Sequence, residues 1–395
     1  MNILVFSHYF WPENFLINDL AEELSKKNNV TVITGYPNYP DGKLFKGYRF
    51  FLKKIDWFQN IKIIRSLILT RKNGSKLNLV LNYISFAFFS FFEILFLRNK
   101  KKFNLCFVYA PSPLISLISI FLLKRLFNFK IYLWLQDLWP LVVNNKTNNN
   151  LVKNIIFIIC KYIYNNSDII LLQSKDYEYY LINKMKIINK DFIFFPNWSP
   201  NHQRIDYNSI IDDKLKIVYT GNIGYSQNFS NLIKLCNKDK LCNFEFHIYG
   251  EGRYKTRFQK DILKNKINNI FLHDNLPMKL LLKELTKYNC LYLSLSNEYS
   301  HTIPAKFQFY LSLGMPIIAS IDGFVYELIN SKNIGLASTS DDIYGLEKNL
   351  NIFSKFTQNE KKVIANNAYE LYLEFFSKEL AFKNFNNLIY EKKHY

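Results

Sequence analysis

The sequence predicts an α/β chain of two successive doubly wound, Rossmann-like domains facing a cleft. Three observations lead there. Short apolar runs alternate with amphipathic helical stretches through most of the chain. The alternation breaks once, at Pro196-Asn197-Trp198-Ser199-Pro200-Asn201, and then restarts. The 395 residues are enough for two domains, or three, at roughly 150 residues each. Strands that read as continuous apolar runs, rather than as alternating ones, belong to parallel sheets covered on both faces.

The elements follow in order. Asn2–Ser7 is a buried strand, and 14–26 is an amphipathic helix with Phe15, Leu16, Leu20 and Leu24 on one face. Strands are expected at 30–34, 61–64, 105–109, 130–135, 167–173 and 191–195, with helices at 79–97, 113–126, 155–164 and 175–183. A polar stretch to Asp213 serves as linker. Strands then recur at 215–219, 244–249, 270–272, 291–295 and 316–320, with helices between, and 365–390 is an amphipathic helix. The expected domains are 1–200 and 201–364, with 365–395 packing back across the first.

Composition excludes several classes. With 49% hydrophobic and 21% charged residues the chain is neither disordered nor fibrous. Its five cysteines (Cys106, Cys160, Cys236, Cys242 and Cys290) form no CxxC or Cys/His cluster, which fits a reducing compartment without structural zinc. The six histidines show no paired spacing, and Asp212-Asp213 lies in the linker, so no metal is expected. Met1–Ser7 lacks the basic and apolar regions of a signal peptide.

The net charge of +19 is uneven: residues 51–150 hold 15 basic against 3 acidic side chains. That stretch is also the most apolar. Leu77–Phe92 and Phe103–Leu123 carry no charge, and cations (Arg98 and Lys100–Lys102; Lys124 and Arg125) follow each. Glu93 interrupts the first run and Pro111 and Pro113 the second, which opposes spanning helices. Two readings stay open: buried elements, or a surface lying on an anionic leaflet, where each Lys or Arg contributes about 1 kcal/mol. No nucleic-acid motif accompanies the charge.

Three loops of the second half suit phosphate. Gly221-Asn222-Ile223-Gly224 and Gly250-Glu251-Gly252-Arg253-Tyr254-Lys255 each join a strand to a helix, where glycine admits close backbone approach and the helix offers free N–H groups. In His301-Thr302-Ile303-Pro304-Ala305-Lys306, Lys306 falls in the first turn of a helix expected at 307–313. A cation is unfavourable there unless an anion is present. In the first half Asp137 follows strand 130–135, where open α/β sheets place ligands; a helix N-cap is the other reading. Trp11, Glu13 and Asn14 after the first strand, and Tyr36, Asn38 and Tyr39 after the second, suit sugar stacking and hydroxyl recognition. Two doubly wound domains with such loops point to a transferase or an epimerase of nucleotide sugars.

The segments HYFWPENFLINDLAEELSKKNNVTVITGYPNYPDGKLFKGY, LWLQDLWP, FPNW, YTGNIG, YGEGRYK and HTIPAKFQFYLSLGMPIIASIDG together resemble bacterial retaining glycosyltransferases of the GT-B fold. More narrowly, they resemble the L-fucosamine transferases of O-antigen and capsule clusters. The resemblance implies transfer from a UDP-sugar, without further cofactor, to a polyprenyl-pyrophosphate-linked glycan at the cytoplasmic face of the inner membrane, where the protein is peripheral. It assigns the donor to Gly221, Asn222, Gly224, Gly250, Gly252, Arg253, Thr302, Pro304, Ala305 and Gln136. The acceptor falls to Trp11, Glu13, Asn14, Tyr36, Asn38 and Tyr39, and catalysis to Asp137 and Lys306.

The sequence departs from the wider family at Asn222 and Gln227, where basic residues are usual. It departs again at His301 and Phe309, where two glutamates are usual. The family's His-Asp pair is Gln136-Asp137, and the histidine commonly contacts a donor 6-hydroxyl, so Gln136 suggests a 6-deoxy, N-acetylated sugar. Lys306, with Arg253 second, is expected to be exposed and to offset leaving-group charge. Asp137 orients the acceptor or stabilises a cationic sugar. The rival readings are a non-catalytic partner subunit, prompted by the absent glutamates, and an epimerase.

Overall fold

In the computed structural model the chain divides into two compact units, Met1–Phe195 and Pro196–Tyr395. The structure describes residues 1–97, 100–111, 113–127, 129–144, 147–200, 204–207, 214–237 and 243–390. Arg98, Asp212, Asp213 and Cys242, named above, lie outside the described residues.

The first unit runs β1 (Asn2–Ser7), α1 (Leu16–Ser25), β2 (Asn29–Gly35), β3 (Ile55–Phe58), β4 (Ile61–Ser66), α2 (Lys76–Leu95) and β5 (Leu105–Ala110). It continues through α3 (Ile118–Leu122), β6 (Lys130–Leu135), α4 (Leu141–Asn144), α5 (Asn150–Asn166), β7 (Ile169–Leu172), α6 (Asp176–Asn183) and β8 (Asp191–Phe194). The sheet order is β3-β4-β2-β1-β5-β6-β7-β8, parallel except for β3. Alternate residues such as Leu4, Phe6, Cys106 and Val108 enter a core with Phe86 of α2, Ile120 of α3 and Ile163 of α5. The intervening Ile3, Val5 and Phe107 are also fully buried, so both faces are covered, as the apolar runs require.

The second unit runs β9 (Leu215–Thr220), α7 (Phe229–Cys236), β10 (Phe244–Tyr249), α8 (Lys255–Lys264), β11 (Ile270–His273), α9 (Met278–Leu285) and β12 (Cys290–Ser294). Then come α10 (Ala305–Leu313), β13 (Ile317–Ser320), α11 (Phe324–Ser331), β14 (Gly335–Ser338), α12 (Ile343–Lys355), α13 (Gln358–Leu371) and α14 (Lys378–Tyr390). Its sheet is wholly parallel, in the order β11-β10-β9-β12-β13-β14. Both sheets are doubly wound. Strand order reverses between β1 and β5 in one and between β9 and β12 in the other, and ligands of such sheets bind at the carboxyl ends beside that reversal.

Several elements differ from expectation. β3 is an antiparallel edge strand whose Ile55 and Trp57 are exposed, so no apolar run announces it. The helix expected at 113–126 is broken into a tight turn at Leu114–Leu117, the five-residue α3, and a second turn at Lys124–Leu126. The C-terminal helix is two helices, separated by a wide turn at Tyr372–Phe376 and by Ser377, which bridges to Ser199.

Candidate functional site

The second unit's glycine turns are stitched to each other before they meet any ligand. Gly221 N donates to Tyr249 O (2.9 Å), Ile223 N to Glu251 O (2.7 Å) and Tyr254 N to Ile223 O (3.0 Å). A Cβ on Gly250, at φ +154°, would stand 1.9 Å from the Gly221 carbonyl oxygen. One on Gly252 would stand 2.2 Å from that of Ile223. Glycine is required here because two backbones touch. Tyr219 hydroxyl donates to Asn222 O (2.6 Å), and Gln227 Oε1 accepts from Gly224 N (2.9 Å), so Gln227 closes the turn.

Lys306 reaches over this paired turn. It is the second residue of α10, after the N-cap position held by Pro304. Tyr310, one turn on, ties α10 to the end of β9: its hydroxyl accepts from Thr220 N at 2.9 Å. The Lys306 stem passes 3.2 Å from where a Gly221 Cβ would stand, and its Nζ lies 4.9 Å from the centre of the buried Tyr219 ring. Contrary to the expectation of an exposed side chain, Lys306 is half-buried, and burial pulls its amine down to about 8. Among the described residues it has no acidic partner. A desolvated cation in the first turn of a helix, beside a glycine-lined backbone, suits an anion.

The other cations there differ. Arg253 is exposed and makes no ion pair among the described residues, whereas Lys255 is held by Glu251 (2.5 Å) and Asp274 (3.1 Å). Thr302 spends its hydroxyl proton on Tyr299 O (2.8 Å). Ala305 is exposed, Pro304 and Phe309 are half-buried, and burial pulls the His301 imidazole below its usual value.

In the first unit, loops after β1 and β2 converge on Glu13. This carboxyl is 2% exposed, and its Oε1 accepts from the backbone N–H groups of Asn38 and Tyr39, both at 2.8 Å. Burial outweighs these bonds and the nearby Arg65 charge, lifting the acid to about 7. Asn38 bridges Tyr36 O and Arg71 N, and Tyr36 hydroxyl accepts from Phe51 N. Trp11 stacks on Phe58 at 5.2 Å. Glu13, Tyr36 and Asn38 thus hold the loops in shape, while Asn14 and Tyr39 are exposed.

Gln136 and Asp137 follow β6. Gln136 O accepts from Gln173 Nε2 (3.1 Å) and from Tyr177 hydroxyl (2.8 Å), and its own Nε2 is buried without a hydrogen bond. Asp137 is half-buried. Burial first, and the Asp137 charge second, push the hydroxyls of Tyr109 and Tyr177 far up. The next helix, α4, begins only at Leu141, so Asp137 does not occupy its N-cap position.

Sequence reasoning missed two neighbours. His8, at the end of β1, is stacked between Tyr9 (4.4 Å) and Phe86 (4.5 Å), with neither ring nitrogen hydrogen-bonded. Burial and the Arg71 charge hold it neutral, down to about 3. Arg71 lies over the Tyr39 ring at 5.0 Å. The position of His8 after the first strand was the available signal; nothing in the sequence paired Arg71 with Tyr39.

Among the described residues no group of three or more His, Cys, Asp or Glu side chains is placed to hold a metal.

Comparison with known proteins agrees with this geometry. Residues 203–371 match the family described as Glycosyl transferases group 1. The chain is 25% identical over 291 residues to the putative colanic acid biosynthesis glycosyl transferase WcaI of Escherichia coli K12, covering 68% of this chain and 70% of that protein. Among solved structures it is similar to sucrose-phosphate synthase from Thermosynechococcus elongatus (TM-score 0.73, 14% identity, 99% of this chain and 98% of that one). It is likewise similar to Anabaena HepE in complex with UDP (TM-score 0.67, 10% identity, 98% and 99%). Those structural likenesses establish the fold. The chain therefore has the GT-B fold, and the likeness to Glycosyl transferases group 1 lies in its residues 203–371.

Proposed function

We propose that the protein is a retaining glycosyltransferase that moves a sugar from a UDP-sugar to a lipid-linked glycan in bacterial surface-polysaccharide synthesis. The observation that carries this reading is Lys306: a half-buried cation without an acidic partner among the described residues, set in the first turn of α10 over the Gly221 turn. The diphosphate lies along Gly221–Gly224 and Gly250–Arg253, with Lys306 and Arg253 facing its charge. The acceptor hydroxyl oxygen bonds to the anomeric carbon as the bond from that carbon to the phosphate oxygen breaks. The hydroxyl proton passes to the leaving phosphate on the same face, and UDP departs. No side-chain nucleophile is needed, and Lys306 acts where charge develops. Asp137 orients the acceptor or meets positive charge on the sugar.

The match to Glycosyl transferases group 1 and the likeness to WcaI support this class of reaction over an epimerase. The donor is a 6-deoxy, N-acetylated sugar such as FucNAc, since the glutamine at 136 stands where the resemblance expects a histidine on the 6-hydroxyl. A screen of UDP-sugars with a polyprenyl-diphosphate monosaccharide acceptor tests both parts. UDP release with product of unchanged anomeric configuration is expected, fastest with the 6-deoxy donor. Faster use of UDP-GlcNAc would remove the donor assignment, and binding of UDP without any transfer would favour a non-catalytic subunit.

A further inference from the structure

The helix layer on one face of the first sheet is apolar on its outward side as well as toward the core. α2 buries Asn82, Ser85 and Ser90 beside Phe86 and Ile94, and each of the three polar side chains makes a hydrogen bond there. Asn82 Nδ2 donates to Leu69 O (2.7 Å), Ser85 Oγ accepts from Leu69 N (2.8 Å), and Ser90 meets Ser119 of α3 (2.8 Å). Its outward side carries Leu77, Ile84, Phe88, Phe92 and, just past its end, Phe96, all exposed by 41–75%. Their spacing of seven, four, four and four residues makes one apolar stripe. α5 likewise carries an outward apolar stripe. Leu151, Ile155, Ile158 and Tyr162 are exposed at spacings of four, three and four, while Cys160, Ile163 and Tyr164 are buried. Between them the α3 segment exposes Leu122 and Leu126, and α3 packs against both α2 and α5. Three neighbouring elements thus present contiguous apolar surface, which a soluble monomer rarely leaves to water.

Charge identifies the occupant. Exposed Lys72 and Lys76 stand at the start of α2, Lys101 and Lys102 follow its end, and Arg125 sits between Leu122 and Leu126. Two of the three acids of residues 51–150 are occupied: Asp56 pairs with the buried Arg65 (3.1 Å) and Glu93 with Lys54 (3.1 Å). An apolar face with a cationic rim and its acids neutralised suits anionic lipid. α2 is long and apolar enough to cross a membrane. Its inner face is fixed to the domain, however, where Phe86 stacks on Phe6 and His8. We propose that the outer face of α2, α3 and α5 docks on an anionic bilayer with α2 lying in the plane of the surface. This deepens the reading above, because a lipid-linked acceptor is met at such a surface.

The test uses the full chain and vesicles of phosphatidylcholine with or without phosphatidylglycerol. Wild type should sediment with the anionic vesicles and much less with the neutral ones, and carbonate should release it. Phe88→Glu with Phe92→Glu should weaken vesicle binding at least tenfold while UDP binding stays at the wild-type level. Replacing Lys72, Lys76, Lys101 and Lys102 by Gln should remove the preference for anionic lipid. Phe92→Trp keeps the surface apolar, and the fluorescence it adds over wild type should be quenched by brominated lipid. Wild-type binding by the glutamate variant, resistance to carbonate, equal binding to neutral vesicles, or added fluorescence that brominated lipid leaves unquenched would each overturn the proposal. So would a vesicle-free dimer abolished by the glutamate pair, which would give the face to a second copy. Loss of UDP binding in wild type would instead sink the transferase reading and leave the docking result standing.

Discussion

The loops after β1 and β2 and those after β9 and β10 occupy equivalent places, beside the reversal of strand order in their sheets, yet they are built oppositely. The first pair is filled with aromatic rings and pinned by one buried carboxyl: Glu13 holds Asn38 and Tyr39, and Tyr9 lies among His8, Phe15 and Tyr39. The second pair is bare backbone, glycine against carbonyl, with one desolvated cation above it. One architecture thus carries two kinds of loop. Rings and tethered polar groups suit sugar faces and hydroxyls, whereas a glycine-lined backbone and a lysine suit a diphosphate.

The largest effect that tests this contrast is Lys306→Ala. Turnover should fall by about 10²-fold or more, the scale of one lost charge-stabilising donor. Thermal stability should hold or rise, because the variant removes a half-buried charge that has no acidic partner among the described residues. Near-normal turnover would remove Lys306 from the chemistry. Asp137→Asn should cut activity by about 10²-fold through misplacement of the acceptor, with UDP affinity unchanged because the acid belongs to the other unit. A collapse of UDP affinity would contradict the division of labour.

Gly250→Ala drives a Cβ into the Gly221 carbonyl. It should cost about 2 kcal/mol or more in stability and abolish UDP binding. Gly224→Ala meets only the side-chain amides of Asn222 and Gln227, both at 2.9 Å, and should be milder in urea unfolding and UDP titration.

In the first unit the sharper test is pH. Glu13 is lifted in the folded state from 4.5 to about 7, so folding favours its protonated form. Its contribution is complete below pH 4.5 and is lost as the pH rises to about 7. The loss is on the order of 3 kcal/mol by proton linkage. Glu13→Gln, which keeps an acceptor for Asn38 and Tyr39, should flatten the stability profile across that window; an unchanged profile would mean the acid is not buried as described. The smallest contrast lies between two cations of one loop. Arg253→Ala should weaken UDP binding by about 1 kcal/mol, the upper end for an exposed charge. Lys255→Ala should weaken it less, since Lys255 is already paired with Glu251 and Asp274.

Much of the fold was legible because parallel strands buried on both faces must be apolar throughout. Leu105–Ala110 and Ile169–Leu172 stand out for that reason. What escaped notice lacked that signature. Gly335–Ser338 is a short strand with a single large apolar residue, Leu336, and Ile55–Phe58 is an exposed edge. The start of α13 was written in the sequence as Thr357 with Glu360 three residues on, a capping box that the structure forms. At the site, the glycine turns and Lys306 were visible as chemistry out of place for their local structure. The packing of Gly250 on Gly221, the burial of Lys306 and the pairing of Arg71 with Tyr39 depend on contacts between distant segments, which spacing does not encode.

The central claim is that Lys306 and the paired glycine turns hold a diphosphate, and protons report on it directly. With its amine near 8, Lys306 is mostly neutral at pH 8.5 in the free protein. A bound diphosphate should restore the charge by drawing in a proton. Calorimetric titration of UDP at pH 8.5, in buffers of different ionisation enthalpy, should show uptake of about three-quarters of a proton per UDP bound. The uptake should vanish in Lys306→Ala. Binding without proton uptake, or uptake that persists in that variant, would contradict the account.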